Sequence, residues 1–314
     1  MAFVVDLPGG VQKRVTQSDL NQSLFEDLSR VKDGLKIVLS KSLPNIVYES
    51  IPLSGKMIRT KLGILMFKRT FGELKNEHVT ALAALELVHL ASLLHDDVID
   101  NSEMRRGKTA MNKIFGNTAA VAVGDIILVL AFQMVETLNI TTLRKAFFDA
   151  IKRMSDAELL EQLNKGSTVP KEVYFEVIRG KSGALFGLAS YMASIFEGNP
   201  RKEDYELGEK LGMLYQMADD ILDFERPEKV GKTTLLDVKN GIPSFPIIMA
   251  LEENKSLTAF LQDGKWEIIL NFIKENEILK KAKEILLEML RQFVRENPWL
   301  KGYVENIFGK EVLP

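Results

Sequence analysis

The stretch LAALELVHLASLLHDDVIDNSEMRRGK, Leu82–Lys108, opens apolar, then places Asp96, Asp97 and Asp100 within five residues, ahead of Arg105 and Arg106. At about 100° per residue on a helix, Leu85, His89, Ser92, Asp96 and Asp100 fall within about 80° of one another. Asp97 lies about 100° around from Asp96, at the border of that stripe. A helix that reads as protein core thus ends in a row of carboxylates. Buried carboxylates without partners are costly, so a neutralising agent is implied.

The same pattern returns downstream. YQMADDILD (Tyr215–Asp223) closes a second apolar helix, and Gln216, Asp219, Asp220 and Asp223 share an arc of about 100°. Carboxylates on adjacent turns, at about 6 Å and an effective dielectric of about 20, repel by roughly 3 kcal/mol. Divalent cations between two such clusters would remove that penalty. Oxygen ligands without Cys or His select a hard ion, magnesium first. Magnesium takes one or two carboxylates and fills its octahedron with water and phosphate oxygens. Two facing clusters bridged by magnesium would therefore recruit a diphosphate. A single DDxxD could be a solvated helix end; two copies on apolar helices with bases nearby argue against that reading. An EF-hand is disfavoured, because its glycine-bearing loop is missing.

Between and around these clusters the chain shows helical periodicity punctuated by Gly, Pro and Asn, with almost no alternating β pattern. The spacing predicts helices over Ser18–Leu43, Ile58–Phe71, Glu77–Asn101, Asn117–Leu138, Thr142–Lys165, Lys171–Phe196, Lys202–Asp223, Phe245–Asn254, Trp266–Glu275 and Ile278–Glu296, with a short one around Pro298–Phe308. No Ser/Gly-rich linker divides the chain, so one all-α domain from Ser18 to Pro314 is expected. Residues 1–17 read as a loosely ordered extension.

Composition narrows the function. The chain has 314 residues, 46% hydrophobic and 27% charged, with a formal net charge of -2. That balance disfavours nucleic-acid binding, which needs a basic surplus. There are no cysteines, which removes disulfides, thiolate metal sites and cysteine nucleophiles. The three histidines, His78, His89 and His95, make no convincing zinc site. The N-terminus lacks the form of a secretory signal. The most apolar run, Ala119–Phe132, is interrupted by Asp125 and is too short to span a bilayer. A cytoplasmic protein without a transmembrane segment is expected.

Basic residues sit where phosphate would need them. SGKMIRT offers Lys56 and Arg59 at a helix start, where free N–H groups also attract anions. Arg105 and Arg106 follow the first cluster, and arginine forks suit phosphate oxygens. RGKSG carries Lys181 between Gly180 and Gly183, and KVGKTT carries Lys232. Singly, each lysine is more simply a solvated surface charge; together they make two diphosphate pockets. Gly180 and Gly183 cost helix stability, which a kink beside Lys181 or close helix packing would each explain. His89 lies on the acid stripe and could donate to a phosphate. His95 points off it and reads as structural.

These motifs, LLHDDVID with RRGK, YQMADDILD and SGKMIRT, resemble those of the trans-isoprenyl diphosphate synthases, medium- and long-chain bacterial members above all. The resemblance covers nearly the whole chain from Ser18. It implies a single-domain antiparallel helix bundle of the isoprenoid synthase type, with a central cavity across which the aspartate motifs face each other. It further implies about three Mg2+ ions per active site once substrate is bound. Asp96, Asp100 and Asp219 would ligate metal directly, with Asp97, Asp220 and Asp223 in supporting or water-mediated roles. Lys56, Arg59, His89 and Arg106 match the isopentenyl diphosphate pocket. Arg105, Lys181, Gln216 and Lys232 match the allylic diphosphate site, with Ser182 at a position usually held by threonine. A homodimer is implied, as is peripheral membrane contact for product release. Two departures stand out. The GGKRxRP pattern reads here Ser54-Gly55-Lys56-Met57-Ile58-Arg59-Thr60, and a lysine often found further on is replaced by Ile242.

The expected chemistry needs no nucleophilic side chain. Metal and bases neutralise the departing diphosphate, the allylic C–O bond ionises, and the double bond of isopentenyl diphosphate attacks the cation. Product length should follow from the wall below Asp96. In the family, bulky aromatics there give short products. One turn below Asp96, about 6 Å by helix rise, stand Ala91 and Ser92, so a product of about forty carbons is expected. Phe132 and Phe147 are candidate floors of the tunnel, with Phe147 preferred; both also read as ordinary core residues. A geranylgeranyl-length synthase and a subunit of a heteromeric synthase remain alternatives, although such subunits typically lose motif aspartates. A terpene cyclase or head-to-head synthase would lack the GKxxR pocket.

Overall fold

A computed structural model describes residues 2–7, 11–165, 167, 170–225 and 244–309, with side chains from residue 23 onward, that of residue 225 excepted. The protein is all-α. The helices are α1 (Gln17–Ser42), α2 (Asn45–Ser50), α3 (Ile58–Phe71), α4 (Asn76–Ile99), α5 (Met111–Phe115), α6 (Asn117–Thr137), α7 (Thr141–Leu163), α8 (Lys171–Ile178), α9 (Ala184–Phe196) and α10 (Lys202–Glu225). They continue with α11 (Phe245–Glu253), α12 (Leu257–Gln262), α13 (Trp266–Glu275), α14 (Ile278–Glu296) and α15 (Lys301–Phe308).

Two antiparallel strand pairs accompany the helices. β1 (Ala2–Leu7) pairs with β2 (Val11–Thr16), Ala2 opposite Thr16, so the N-terminal extension carries a hairpin that the periodicity did not announce. β3 (Met104–Arg105) pairs with β4 (Lys108–Thr109). Arg106 and Gly107 connect them with φ of 51° and 78°, the double left-handed turn that suits the twist of a hairpin.

The long helices fall where periodicity places them, Ile58–Phe71 to the residue. The short ones, α2, α5 and α12, were missed because six residues or fewer carry too little periodicity to register. The predicted helix Lys171–Phe196 is interrupted by a π-helical turn at Arg179–Gly183. A Cβ on Gly180 would lie 2.3 Å from Ala157 Cβ and 2.6 Å from the Arg153 carbonyl oxygen. The glycine therefore serves close packing against α7, and it does so inside the distorted turn.

The chain forms two compact units, Met1–Asp149 with Leu185–Leu207, and Ala150–Ala184 with Gly208–Pro314. In the first, α4 is buried nearly all round from Ala81 to Ala91, as its largely apolar sequence demands. Helices α1, α3 and α6 pack on it. Gly63 lets α3 approach, since a Cβ there would stand 2.4 Å from Leu82 Cδ2. Gly124 on α6 makes room for the His95 ring, whose Nε2 lies 3.4 Å from the Val121 carbonyl oxygen and 3.4 Å from Asp125 Oδ1. His95 is structural, as its place off the stripe suggested. His78 stacks on Phe67 (centroids 4.1 Å apart) and meets Phe196 edge-on. Burial and the neighbouring Lys75 and Arg30 lower its pKa to about 4.

In the second unit, Ile247, Ala250, Leu257, Leu261, Ile269, Ile273 and Ile278 form a core of their own. Helix α14 turns Ala282, Leu286, Leu290 and Phe293 inward at helical spacing.

By length and hydropathy, α4 and α6 could each cross a membrane. Length and composition alone do not overturn the sequence expectation, because a buried core helix passes the same test. Most of α4 is core, whereas α6 covers α4 with one face and exposes Val121, Ile126 and Val129 on the other.

Candidate active site

The first aspartate cluster closes α4, with Asp100 as the capping residue and its N–H bonded to the Asp96 carbonyl oxygen at 2.8 Å. Carboxylates at a helix C-terminus oppose the helix dipole, so the fold does not place them there for stability. Asp97 is only 1% exposed. Its Oδ1 accepts from Arg105 Nε at 2.7 Å and faces Nη2 at 2.5 Å. Its carbonyl oxygen accepts from the Ser102 N–H and from Asn112 Nδ2. Oδ2 is buried with no hydrogen-bond partner among the described residues. Asp96 and Asp100 are partly exposed.

Beside it the structure assembles a cationic pocket. His89 Nε2 lies 3.3 Å from Arg59 Nη1 and 3.5 Å from Arg106 Nη2. Burial, with Arg59, Arg106 and Arg105 around it, holds His89 well below the ordinary histidine range. Facing guanidinium donors, the neutral ring accepts at Nε2, so donation is left to Nδ1. Arg106, in its left-handed turn, donates to the Pro52 carbonyl oxygen at 3.0 Å. A Cβ on Gly55 would lie 2.9 Å from Arg106 Nη1, so the glycine lets this guanidinium rest against the SGK turn in the position it takes here. The Arg59 guanidinium stands over the Phe186 ring at 5.0 Å, a cation–π contact that orients it. Lys56 is exposed, in the turn before α3.

The second cluster is built differently. Asp220 on α10 accepts from Gln216 Nε2 at Oδ1 (3.0 Å), and from the Tyr174 hydroxyl (2.7 Å) and the Phe245 N–H (2.9 Å) at Oδ2. Ser182 Oγ in turn donates to Gln216 Oε1 at 2.6 Å. Burial pushes the Asp220 carboxyl up to about 7, against the pull of its three donors. Asp219 is exposed and Asp223 partly so.

Lys181, in the π-helical turn, is clasped by Glu158 at 2.7 Å and, more closely still, by Glu161. Burial disfavours its charge, but the two glutamates outweigh burial and raise its pKa.

Gln216, Ser182 and Asp220 thus come together, as do Arg59, His89 and Arg106. Arg105 joins Asp97. Lys232 and Ile242 lie outside the described residues. Tyr174, Glu158, Glu161 and Asn112 were not singled out from sequence, and no spacing rule would have found them; they belong to these groups only by folding.

Of the residues expected to set product length, Ala91 is buried and Ser92 donates to the His89 carbonyl oxygen at 2.9 Å. Phe132 meets Phe148 edge-on at 5.1 Å, and Phe147 is fully buried.

Among the described residues, no three or more Asp, Glu and His side chains converge as a ready-made metal cage. Magnesium asks for one or two carboxylates with substrate oxygens completing its shell. The all-oxygen donors at the ends of α4 and α10, and the unpartnered buried Oδ2 of Asp97, fit that demand.

The chain matches the family model described as polyprenyl synthetase over residues 40–285. It is 31% identical over 269 residues to the octaprenyl diphosphate synthase of Escherichia coli, covering 82% of this chain and 83% of that one. Among solved structures it resembles a heptaprenyl diphosphate synthase from Staphylococcus aureus, with TM-score 0.81, 22% identity, and 92% and 96% of the two chains covered. It also resembles a decaprenyl diphosphate synthase from Rhodobacter capsulatus, with TM-score 0.79, 25% identity, and coverage of 93% and 99%.

Proposed function

The chain belongs to the polyprenyl synthetase family, and we propose that it is a medium- or long-chain trans-polyprenyl diphosphate synthase. It condenses isopentenyl diphosphate onto an allylic prenyl diphosphate, farnesyl or similar, to a product of about forty carbons. Residues 18–314 work as one catalytic domain.

The observation that carries this reading is the neutral His89 held between Arg59 and Arg106, next to a helix end lined with carboxylates. Such a pocket suits a diphosphate. Two guanidiniums supply the charge, while an imidazole that stays uncharged keeps them close without adding repulsion.

Lys56, Arg59, His89 and Arg106 hold isopentenyl diphosphate. Arg105, Lys181, Ser182, Gln216 and Lys232 serve the allylic diphosphate. Asp96, Asp100, Asp219 and Asp223 offer carboxylates to Mg2+, with Asp97 in support through its unpartnered Oδ2, whereas Asp220, engaged by three protein donors, holds its helix in register. Bound Mg2+ supplies Lewis-acid neutralisation of the diphosphate leaving group. The basic residues then stabilise the charge that develops as the allylic C–O bond breaks. The isopentenyl double bond attacks the allylic cation, and the proton lost afterwards goes to the departed diphosphate. Apolar helix walls exclude the water that would quench the cation. Small Ala91 and Ser92 leave a path for the tail.

A homodimer is part of this reading. Val121, Ile126 and Val129 of α6 are 40%, 43% and 50% exposed on an apolar helix, and a second copy would cover them. The protein is cytoplasmic, touching membrane only at the surface when product leaves.

The test is incubation with farnesyl diphosphate, isopentenyl diphosphate and Mg2+, followed by sizing of the products. Products near forty carbons are expected; termination at the length of a geranylgeranyl chain would move the assignment to a shorter-chain synthase. Activity only with an added partner protein would mark a heteromeric subunit.

A further inference from the structure

Tyr174 has no part in the reading above, yet it is among the largest fully buried side chains of the protein. It stands on α8 against Phe245, ring centroids 6.1 Å apart at 21°, with Phe175 edge-on at 5.4 Å. A buried phenol needs a partner for its hydroxyl, and this one donates to Asp220 Oδ2 at 2.7 Å. Burial and the adjoining Asp220 raise the phenol well above its ordinary pKa, so the proton stays on the tyrosine.

Asp220 is thereby tied to three helices: Gln216 on its own α10, Tyr174 on α8 and the first N–H of α11 at Phe245. Protein donors occupy three of the carboxylate's roughly four acceptor positions. Asp219 and Asp223 stand about 40° apart on α10, and Asp220 lies about 60–100° around from them. Pinning Asp220 therefore sets the rotation of α10 about its axis, and with it the direction in which the other two carboxylates point.

We infer that Tyr174 is a positioning residue for the prenyl transfer, its hydroxyl fixing Asp220 so that Asp219 and Asp223 meet metal-bound diphosphate in a set orientation. The inference rests on the synthase reading. It concerns the second aspartate cluster, so recognition of isopentenyl diphosphate through Arg59, His89 and Arg106 is untouched.

Tyr174→Phe removes the hydroxyl and keeps the ring. The full chain and this variant are titrated with Mg2+ in two ways, by turnover of farnesyl and isopentenyl diphosphates and by melting temperature in the presence of inorganic diphosphate. The Mg2+ concentration for half of the melting shift should rise about five- to tenfold, the effect of losing one ordinary hydrogen bond. kcat should fall by a similar factor, with KM for isopentenyl diphosphate unchanged. A variant whose Mg2+ titration of the melting shift superimposes on the wild type's overturns the inference, whatever its starting melting temperature. A wild-type protein that elongates nothing overturns the synthase reading itself, a distinct result visible before the variant is made.

Discussion

The two aspartate motifs share a spelling and differ in how the middle carboxylate is secured. Asp97 is held by a partly buried arginine, Arg105, through two nitrogens on one oxygen. Asp220 is held by neutral donors: an amide, a phenol and a backbone N–H. The first arrangement cancels charge with charge inside a hairpin eight residues away. The second leaves the carboxylate to bear the cost of burial, which is why its pKa is pushed up to about 7. One sequence pattern thus gives a charge-paired anchor at one helix end and a hydrogen-bonded anchor at the other.

The largest expected effect tests whether the outer carboxylates are nonetheless equivalent. Asp96→Ala and Asp219→Ala should each lower turnover by about 10²–10³-fold, the range for losing one preorganised electrostatic partner. A steady-state assay in which either variant keeps more than about a tenth of wild-type turnover would break the equivalence.

Stability should separate the anchors. Arg105→Ala strands the buried Asp97 carboxylate and should cost about 3–5 kcal/mol. Gln216→Ala leaves Asp220 two donors and should cost about 1–3 kcal/mol. Urea unfolding of the metal-free proteins measures both, and equal losses would erase the distinction between the two anchors.

The pH dependence has opposite signs in the two units. His78 has its pKa lowered from 6.5 to about 4, so the fold favours its neutral form. Its contribution is fully present above about pH 6.5 and is lost as pH falls through 4, about 3 kcal/mol in all. Asp220 is raised from 3.8 to about 7, so its contribution is present at low pH and lost as pH rises through 7. In metal-free protein, Asp220→Asn should therefore gain stability relative to wild type between about pH 4 and 7. A His78→Phe variant should unfold less steeply in acid. Urea midpoints across that range that shift in parallel for wild type and both variants would contradict the assignment.

The smallest expected effect on turnover is a change in product size. Ser92→Phe should shorten the products while leaving Mg2+ dependence alone, because it narrows the tail's path without touching either anchor. An unchanged product ladder would remove Ser92 from the chain-length wall. Phe147→Ala should lengthen the products if that ring is the floor, at about 3–5 kcal/mol of stability, since the ring is fully buried.

Much of this was legible beforehand, for identifiable reasons. Helices such as α3 and α14 repeat an apolar residue every turn, a signal strong enough to bound them within a residue or so. His95 was readable as structural from its angle on the wheel, and Gly124 supplies the notch it fills. The hairpin at Met104–Thr109 was not legible, because Arg106 adopts a left-handed conformation that a non-glycine residue takes only when its surroundings compensate. The clasp of Lys181 by Glu158 and Glu161, twenty residues and more away, was not legible either, because no local spacing links those positions.

Sequence by itself determined the helical class, the acid stripes, the absence of thiol chemistry and the membership that those motifs imply. These follow from periodicity and residue type, which are local and survive without a fold. Only the tertiary structure decided that Arg105 neutralises Asp97, that His89 is neutral between two arginines, and that a buried tyrosine secures Asp220. Each depends on burial and on partners that folding sets against the group, from eight residues away for Asp97 to forty-six for Asp220, and desolvation has no value until the chain has folded around the group.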